Sequence, residues 1–254
     1  MVNSTERHQF ILTKVQKEGF IQVIDLCREL KVSSVTIRKD LKLLEDKSLL
    51  FRTHGGASVN NPYTVDKPVN EKEKLQAGEK MSIAAAAART IEPNDSIIIA
   101  SGTTVLALAK AIKPQQQLSV VTSALNVAME LLTHENVEVI QLGGIIRKSS
   151  SSITGAYAQV MLTDFSCSKL FLGVDGIDLE FGLTTTSVVE AHLNRQMIKA
   201  SQKVIVLSDS TKFGRRGFGR ICGLEEVAQI ITDKDIPDHY ANQLEGMGIE
   251  VTIV

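Results

Sequence analysis

Four clusters of small or hydroxyl-bearing residues follow predicted strands in the second half of the chain, and their chemistry suits an anionic ligand. The first, Ser101-Gly102-Thr103-Thr104, comes directly after Ile97-Ile98-Ile99 and opens a predicted helix. Backbone N–H groups and hydroxyls at such a helix start can bind phosphate. The others are Thr122-Ser123, Gly143-Gly144 and Gly173-Val174-Asp175-Gly176. Because the carboxyl ends of parallel strands share one edge of a sheet, we expect the four clusters to surround one small-molecule site.

Two charged residues extend this predicted site. Lys212 supplies a cation after another strand, and Glu190, on a predicted helix, can accept hydrogen bonds from sugar hydroxyls. Each feature also has a purely structural explanation: Ser-Gly-Thr-Thr is a common helix cap, Gly143-Gly144 a common turn, and a helix Glu or loop Lys is usually solvated. The joint position of these residues after successive strands favours a ligand site.

A second group of residues, near the amino terminus, has the chemistry of DNA recognition. A predicted helix starting at Ser33 or Ser34 places Ile37, Leu41 and Leu44 on one side and leaves a cationic side exposed. On that side, an arginine can pair bidentately with a guanine edge, and lysines and hydroxyls suit bases or phosphates. The predicted DNA-contacting residues of this helix are Ser33, Ser34, Val35, Thr36, Arg38, Lys39 and Lys42.

The elements around this helix support the same prediction. Two shorter helices are predicted before it, over Glu6–Lys17 and Val23–Leu30, which gives a helix-turn-helix plan. After it, a strand, the turn Gly55-Gly56 and a return strand predict a β-wing, with Arg52 and His54 beside the phosphate backbone. A basic amphipathic helix is often only a solvated surface, so the wing and the helix cap carry this prediction. A helix-turn-helix used only for protein contacts remains an alternative.

The rest of the layout predicts an α/β protein with two domains. Polar residues with Pro62 and Pro68 predict a linker over residues 60–74, between a DNA-binding domain at 1–59 and a sensor domain at 75–254. In the second domain, short Val- and Ile-rich runs alternate with helical stretches, which predicts a mainly parallel sheet. The predicted strands are 96–100, 119–122, 137–142, 169–174, 203–208, 227–232 and 250–254.

Composition and charge agree with this division. The 254 residues are 43% hydrophobic and 22% charged, as in an ordinary globular protein. Residues 1–60 hold ten Lys/Arg and seven Asp/Glu, a net of +3, whereas the remainder holds eighteen and twenty-two, a net of −4. The dispersed Cys27, Cys167 and Cys222 predict reduced thiols and no metal site. With no signal peptide or apolar span, we expect a cytoplasmic protein without membrane contact.

Residues 6–57 resemble the winged helix-turn-helix of the DeoR family of bacterial sugar-metabolism regulators. The matching residues are Glu6-Arg7, Ile11-Leu12, Val32-Ser33, Thr36-Ile37-Arg38-Lys39-Asp40-Leu41, Leu44-Glu45 and Arg52-Thr53-His54-Gly55-Gly56-Ala57. Residues 75–254 resemble the sensor domain of that family, which shares its fold with ribose-5-phosphate isomerase. The resemblance implies a phosphorylated sugar effector, bound near Ser101–Thr104, Thr122-Ser123, Gly143-Gly144, Asp175 and Lys212.

The sequence departs from these families at two positions. Ala100 stands where the family usually has Asp, which removes one polar contact with the ligand. Gly176 stands where the isomerases carry a catalytic Glu, and glycine cannot supply the base that isomerisation needs. We therefore expect a sensor without catalytic residues, and not the alternative of a sugar-phosphate isomerase-like enzyme with an accessory DNA-binding domain.

The resemblance implies a transcriptional repressor of carbohydrate catabolism genes. Its implied partners are a double-stranded DNA operator, a phosphorylated sugar effector and further copies of the chain in a homo-oligomer, with no cofactor. Within the family, residues 173–185 and 209–216 resemble regulators of amino-sugar use, such as N-acetylgalactosamine pathways.

Overall fold

The protein has two compact units, Met1–Val65 and Asp66–Val254, in a computed structural model that describes residues 3–47, 49–53, 55–59, 68–114 and 116–254. Among these residues, no helix is both long enough and apolar enough to cross a membrane. The boundary between the units falls inside the predicted linker.

Three helices form the core of the N-terminal unit. The predicted apolar side of the third helix is confirmed, because Ile37, Leu41 and Leu44 are at most 2% exposed and pack against side chains of the first two helices. Ser33 caps this helix by accepting a hydrogen bond from the Thr36 N–H at 3.2 Å. The helices are α1 (Ser4–Glu18), α2 (Val23–Leu30) and α3 (Ser34–Asp46).

The predicted wing is present, and a third strand joins it. Strands β1 (Phe20–Gln22), β2 (Phe51–Thr53) and β3 (Gly56–Ser58) form an antiparallel sheet in the order β1-β3-β2. Gly55 turns the chain with φ of 84°, and a Cβ on Gly56 would lie 2.1 Å from a backbone oxygen of β1. The Gly-Gly pair is therefore required by the sheet itself.

A seven-stranded sheet with all neighbours parallel dominates the C-terminal unit, in the order β15-β14-β12-β9-β4-β5-β6. All seven predicted strands are confirmed as its members. The strands are β4 (Ser96–Ile99), β5 (Leu118–Thr122), β6 (Val137–Gln141), β7 (Ile145–Arg147), β8 (Ser152–Thr154), β9 (Cys167–Gly173), β10 (Gly176–Asp178), β11 (Gly182–Thr185), β12 (Ser201–Leu207), β13 (Gly219–Cys222), β14 (Gln229–Thr232) and β15 (Glu250–Ile253). The helices are α4 (Val69–Glu73), α5 (Ala77–Ala88), α6 (Thr103–Ala111), α7 (Leu125–Leu131), α8 (Ala156–Met161), α9 (Val188–Lys199) and α10 (Asp238–Gly246).

The sheet is buried on both faces and reverses its winding at β4. Ile97, Ile98 and Ile99 are fully buried, with Ile98 in one hydrophobic cluster and its two neighbours in the other. From β4 the chain proceeds outward to β5 and β6, and then returns to place β9 on the opposite side of β4. Ligands of open parallel sheets bind in the crevice at such a reversal, outside the carboxyl ends of the strands. This crevice lies between the loops that follow β4 and β9.

The end of the predicted linker belongs to the C-terminal unit and is partly helical. Helix α4 occupies residues that the sequence analysis placed in the linker 60–74. The helix is too short to show a recognisable apolar period in the sequence. It is held by ion pairs with residues far along the chain, and the polar composition of the segment does not indicate these contacts. Strands β7 and β8 form a separate hairpin, and β10, β11 and β13 form a small antiparallel sheet.

Candidate functional site

The exposed side of α3 carries the predicted DNA-contacting residues. Arg38, Lys39 and Lys42 are exposed, and Val35 is 60% exposed, while the opposite side of the helix is buried. Ser33 is used as the cap, and its hydroxyl lies 3.0 Å from that of Thr36. The helix therefore presents a cationic surface on a rigid support, as binding in a DNA major groove requires.

The structure describes one of the two predicted DNA-contacting residues of the wing, Arg52, and does not describe the other, His54. Arg52 lies on β2, where its backbone N–H donates to Glu45 Oε1 at 2.7 Å and its guanidinium is 3.6 Å from Glu45 Oε2. A phosphate contact by Arg52 would compete with this carboxylate of α3. His54 lies outside the described residues, so its predicted role stays a prediction.

A buried ion pair that the sequence analysis missed fixes α3 on α1. Arg7 forms a bidentate pair with Asp40, with Nη2 2.9 Å from Oδ1, and His8 Nε2 lies 3.0 Å from the same oxygen. Burial opposes ionisation of Asp40, but the hydrogen bonds and charges of Arg7 and His8 lower the pKa of the carboxyl below its ordinary value. Asp40 is thus a structural residue of the cationic helix. In the sequence, only the adjacent core residue Leu41 indicated that Asp40 is buried.

The crevice between β4 and β9 is lined first by Ser101 and Gly102. Gly102 precedes α6 with φ of 138°, a conformation that favours glycine. A Cβ on Gly173, at the end of β9, would approach the Ser101 carbonyl oxygen to 3.2 Å, so the two loops run close together. Thr103 and Thr104 begin α6, where free backbone N–H groups point out of the helix end.

Glu190 lies in this crevice and is not solvent-facing. It is 9% exposed, its Oε1 accepts a hydrogen bond from Ser101 Oγ at 2.7 Å, and its Oε2 pairs with Arg147 of β7. Burial raises the pKa of the Glu190 carboxyl, and the charge of Asp175 adds to the rise, whereas Ser101 and Arg147 oppose it. Arg147 was not predicted as a site residue, because nothing near it in the sequence indicates this long-range partner.

Asp175 follows β9 and meets Lys72 of α4. The Lys72 Nζ donates to Asp175 Oδ1 at 2.9 Å, and Asp175 Oδ2 accepts from Thr185 Oγ1 at 3.1 Å and from the Thr186 N–H at 3.3 Å. Burial opposes ionisation of Asp175, but the charge and hydrogen bond of Lys72, together with the charge of Lys212, lower its pKa below the ordinary value. Asp175 is therefore an ionised hydrogen-bond acceptor at physiological pH.

Two further lysines make the crevice cationic. Lys80 of α5 is 5% exposed and donates to the carbonyl oxygens of Lys72 and Leu75, both at 2.6 Å. Burial lowers the pKa of Lys80 to about 8. Burial also lowers the pKa of Lys212, against the charges of Asp209 and Asp175. Lys212 was predicted as a site residue, whereas Lys80 was missed because an Ala-rich helix gives no hint that its lysine points inward.

The remaining predicted residues have mainly structural contacts. Thr122 is fully buried, and its hydroxyl accepts from the Ala124 N–H at 3.0 Å. Ser123 is 2% exposed. Gly143 donates its N–H to the sulfur of Met161, and a Cβ on Gly144 would lie 2.7 Å from a β8 carbonyl oxygen. Thr122 and Ser123 lie at the end of β5, and Gly143 and Gly144 lie in the turn between β6 and β7. The predicted contact of these four residues with an effector stays a prediction.

Gly176 has no room for any side chain. It begins β10, and a Cβ there would lie 2.4 Å from the Arg215 carbonyl oxygen and 2.6 Å from Thr184 Oγ1. Real Cβ atoms do not approach other atoms so closely, so the position that resembles the isomerase Glu cannot carry a carboxylate in this fold. The crevice can bind an anion and hydroxyl groups, through its lysines, the start of α6 and its two carboxylates.

Comparison with known proteins decides the family. Residues 7–63 match the DeoR-like helix-turn-helix domain, and residues 75–234 match the DeoR C terminal sensor domain. The chain belongs to the DeoR family. It is a DNA-binding transcription regulator with a sensor domain, and the enzyme alternative is not supported.

Named relatives align along almost the full chain. An Escherichia coli O157:H7 protein, provisionally named the aga operon transcriptional repressor, is 37% identical over 259 residues, covering 100% of this chain and 95% of the relative. The glycerol-3-phosphate regulon repressor of Escherichia coli K12 is 31% identical over 236 residues, covering 93% of each. Among solved structures, a ribose 5-phosphate isomerase from Methanocaldococcus jannaschii has 12% identity and a TM-score of 0.39, covering 53% of each chain.

Proposed function

We propose that this DeoR-family regulator represses carbohydrate catabolism genes and that a phosphorylated sugar controls its DNA affinity. The observation that carries the proposal is the crevice beside β4, where Ser101, Asp175 and Glu190 lie with the buried Lys80 and the half-buried Lys212. The cations and the start of α6 suit a phosphate, and the two carboxylates suit sugar hydroxyls. The name of one relative, the glycerol-3-phosphate regulon repressor, supports control by a phosphorylated metabolite.

Two finer assignments belong to the same proposal. The first is that the protein acts in the cytoplasm as a homo-oligomer. A single winged domain neutralises few DNA phosphates, so several copies bind paired half-sites. The resemblance of residues 173–185 and 209–216 to regulators of amino-sugar use makes a hexosamine phosphate the first effector to test. Analytical ultracentrifugation of the free protein checks the oligomer: a purely monomeric species at micromolar concentration would contradict it.

The function is tested by DNA binding with and without a ligand. Purified protein is titrated by fluorescence anisotropy against DNA upstream of neighbouring carbohydrate genes, with shuffled DNA of equal length as the control. We expect preferential binding at moderate salt and a change in affinity on adding galactosamine 6-phosphate, because an effector must bind the free and DNA-bound states differently. Unphosphorylated galactosamine should have little effect. Equal affinity for the two DNAs would contradict the proposal.

Effector affinity should fall as the pH rises from 7 to 9. A phosphate monoester is already a dianion in this range, since its second pKa is about 6. Lys80, whose pKa is lowered to about 8, loses its proton there, and the crevice loses a cation. We expect affinity for N-acetylgalactosamine 6-phosphate, whose acetylated nitrogen does not titrate, to weaken by up to about tenfold between these pH values. Calorimetry across the range measures this, and Lys80→Arg, which keeps its charge, should flatten the profile. A flat profile in the parent protein would contradict the assignment.

A further inference from the structure

The segment 68–75, here called the strap, connects residues 60–67 to α5 and is fastened to the C-terminal unit. The Val69 N–H donates to the Ser149 carbonyl oxygen at 2.7 Å. Glu73 pairs with Lys110 of α6 at 2.7 Å. These contacts reach the turn of the β7–β8 hairpin and helix α6, which starts at Thr103. The strap is therefore bound to elements that also supply residues to the ligand crevice.

Lys72 is the strap residue that faces the crevice. Its side chain is 26% exposed and pairs with Asp175 at 2.9 Å, while its own carbonyl oxygen accepts from Lys80. The charge of Lys72 also opposes the rise in the pKa of Glu190 and adds to the lowering of the pKa of Lys80 and of Lys212. Lys72 is thus electrostatically coupled to charged groups from four separate elements of the site. A lysine in a linker without contacts to the C-terminal unit would have no such coupling.

We propose that Lys72 binds the anionic group of the effector in exchange for Asp175, and that this exchange carries ligand occupancy to the strap. The inference rests on the proposed function, because it names a further binding residue of the same crevice and the segment that responds. The ligand class is a phosphate monoester, whose charge of about −1.5 to −2 at pH 7 exceeds that of one carboxylate.

The exchange leaves no buried charge without a partner. When Lys72 turns to a phosphate, Asp175 keeps its hydrogen bonds from Thr185 and the Thr186 N–H, and Lys212 remains close enough to stabilise its charge. A buried carboxylate with no other partner would instead make the exchange costly. The surroundings of Asp175 therefore keep its charge stabilised when Lys72 contacts another anion, as a responsive contact requires.

The strap lies, in the sequence, between the crevice residues and the DNA-binding unit. Lys72 belongs to α4, and residues 60–67 separate this helix from β3, the last strand of the wing. A ligand changes DNA affinity only through contacts that differ between two states. The Lys72 contact is such a difference, and it lies at the start of the C-terminal unit.

The test is a double-mutant cycle with inorganic phosphate and galactosamine 6-phosphate as probes, measured by calorimetry on the full chain. Asp175→Asn removes the competing anion, so it should strengthen inorganic phosphate binding by about three- to tenfold. Lys72→Met should weaken the binding of both probes by about 10- to 100-fold. In the double variant, the gain from Asp175→Asn should disappear. Lys74→Met, on the exposed side of the same strap, is the matched control and should bind like the parent.

DNA affinity with and without galactosamine 6-phosphate completes the test. Lys72→Met should bind DNA without ligand, which confirms folding, but should not respond even at saturating probe. Lys72→Arg keeps the charge and should retain part of the response, which covers the case of a poorly folded Met variant. Parent-like probe binding by Lys72→Met, or a full DNA response at saturation, would overturn the inference alone. A parent protein that binds neither probe would overturn the proposed function, and this inference with it.

Discussion

Gly176→Ala is expected to lower the midpoint of thermal unfolding by about 5–10 °C. The added Cβ would lie 2.4 Å from the backbone oxygen of Arg215, and a backbone atom cannot rotate away. The other close atom, Thr184 Oγ1, is fixed because it donates to the Gly176 carbonyl and accepts from the Gly217 N–H at 2.8 Å. The expected loss of about 3 kcal/mol is typical of overpacking in a rigid site. Differential scanning fluorimetry measures the shift.

Gly78→Ala is the matched control. Gly78 lies inside α5, and a Cβ there meets nothing within 4 Å. Alanine is favoured over glycine in a helix by about 0.5–1 kcal/mol, so this change should raise the midpoint slightly. The same substitution thus has opposite signs at the two positions. A Gly176→Ala protein that melts with the parent would show that the β10 strand can relax, and that the site tolerates side chains.

The Gly176 geometry also bears on the relation to isomerases. A Gly176→Glu variant supplies the carboxylate that the resemblance lacks, yet its side chain meets the same backbone oxygen. We expect a destabilised protein with no turnover of ribose 5-phosphate. The packing of β10 against the loop at Arg215 leaves no room for a carboxylate at this position.

Arg38→Ala should weaken specific DNA binding by about 1–3 kcal/mol, or about 5- to 150-fold. Arg38 is on the exposed side of α3, next to the fully buried Ile37, so its guanidinium can reach a base edge while the helix stays anchored. Alanine is the strongest helix former, so the fold should be unaffected. Affinity for shuffled DNA should fall much less. Anisotropy titrations with both DNAs measure the two effects.

Two other variants separate recognition from general electrostatics. Lys42→Ala should weaken binding to every DNA and reduce the salt dependence by about one phosphate contact. Lys14→Ala is the basic control from the same unit, because its ammonium already pairs with Glu29 at 2.5 Å and with Glu18 at 3.5 Å. It should change DNA affinity little. Parent-like specific binding by Arg38→Ala would instead show that Arg38 does not read a base.

Elements with a strong local signal could be predicted from the sequence. The runs of Val and Ile specify strands that are buried on both faces, and all seven of those predicted lie in the main sheet. The cap at Ser33 and the spacing of Ile37, Leu41 and Leu44 specify α3 and its buried side. In these cases, the residues that define the element are neighbours in the chain. The three-residue β1 and β7 were missed because they are too short to show alternation.

Contacts between distant residues could not be predicted. Arg7 and Asp40 are 33 positions apart, and Lys72 and Asp175 are 103 apart. A charged residue in a polar segment normally indicates solvent exposure. The composition of the segment does not reveal which distant carboxylate the residue contacts. Lys72 was therefore assigned to a linker, although Asp175 was correctly expected at the sheet edge. The crevice was predicted from its glycines and hydroxyls, whereas its cations depend on long-range packing.

The hydrophobic core of the N-terminal unit consists of residues between Ile11 and Ala57, and it shares no residue with the two clusters that sandwich the large sheet. The two halves of the chain can therefore diverge independently in evolution. Under the proposed function, substitutions on the exposed side of α3 would change operator preference without disturbing the crevice. Changes around Glu190 would alter effector choice without altering operator preference. The strap is the exception, since any descendant that keeps both activities coupled must preserve it.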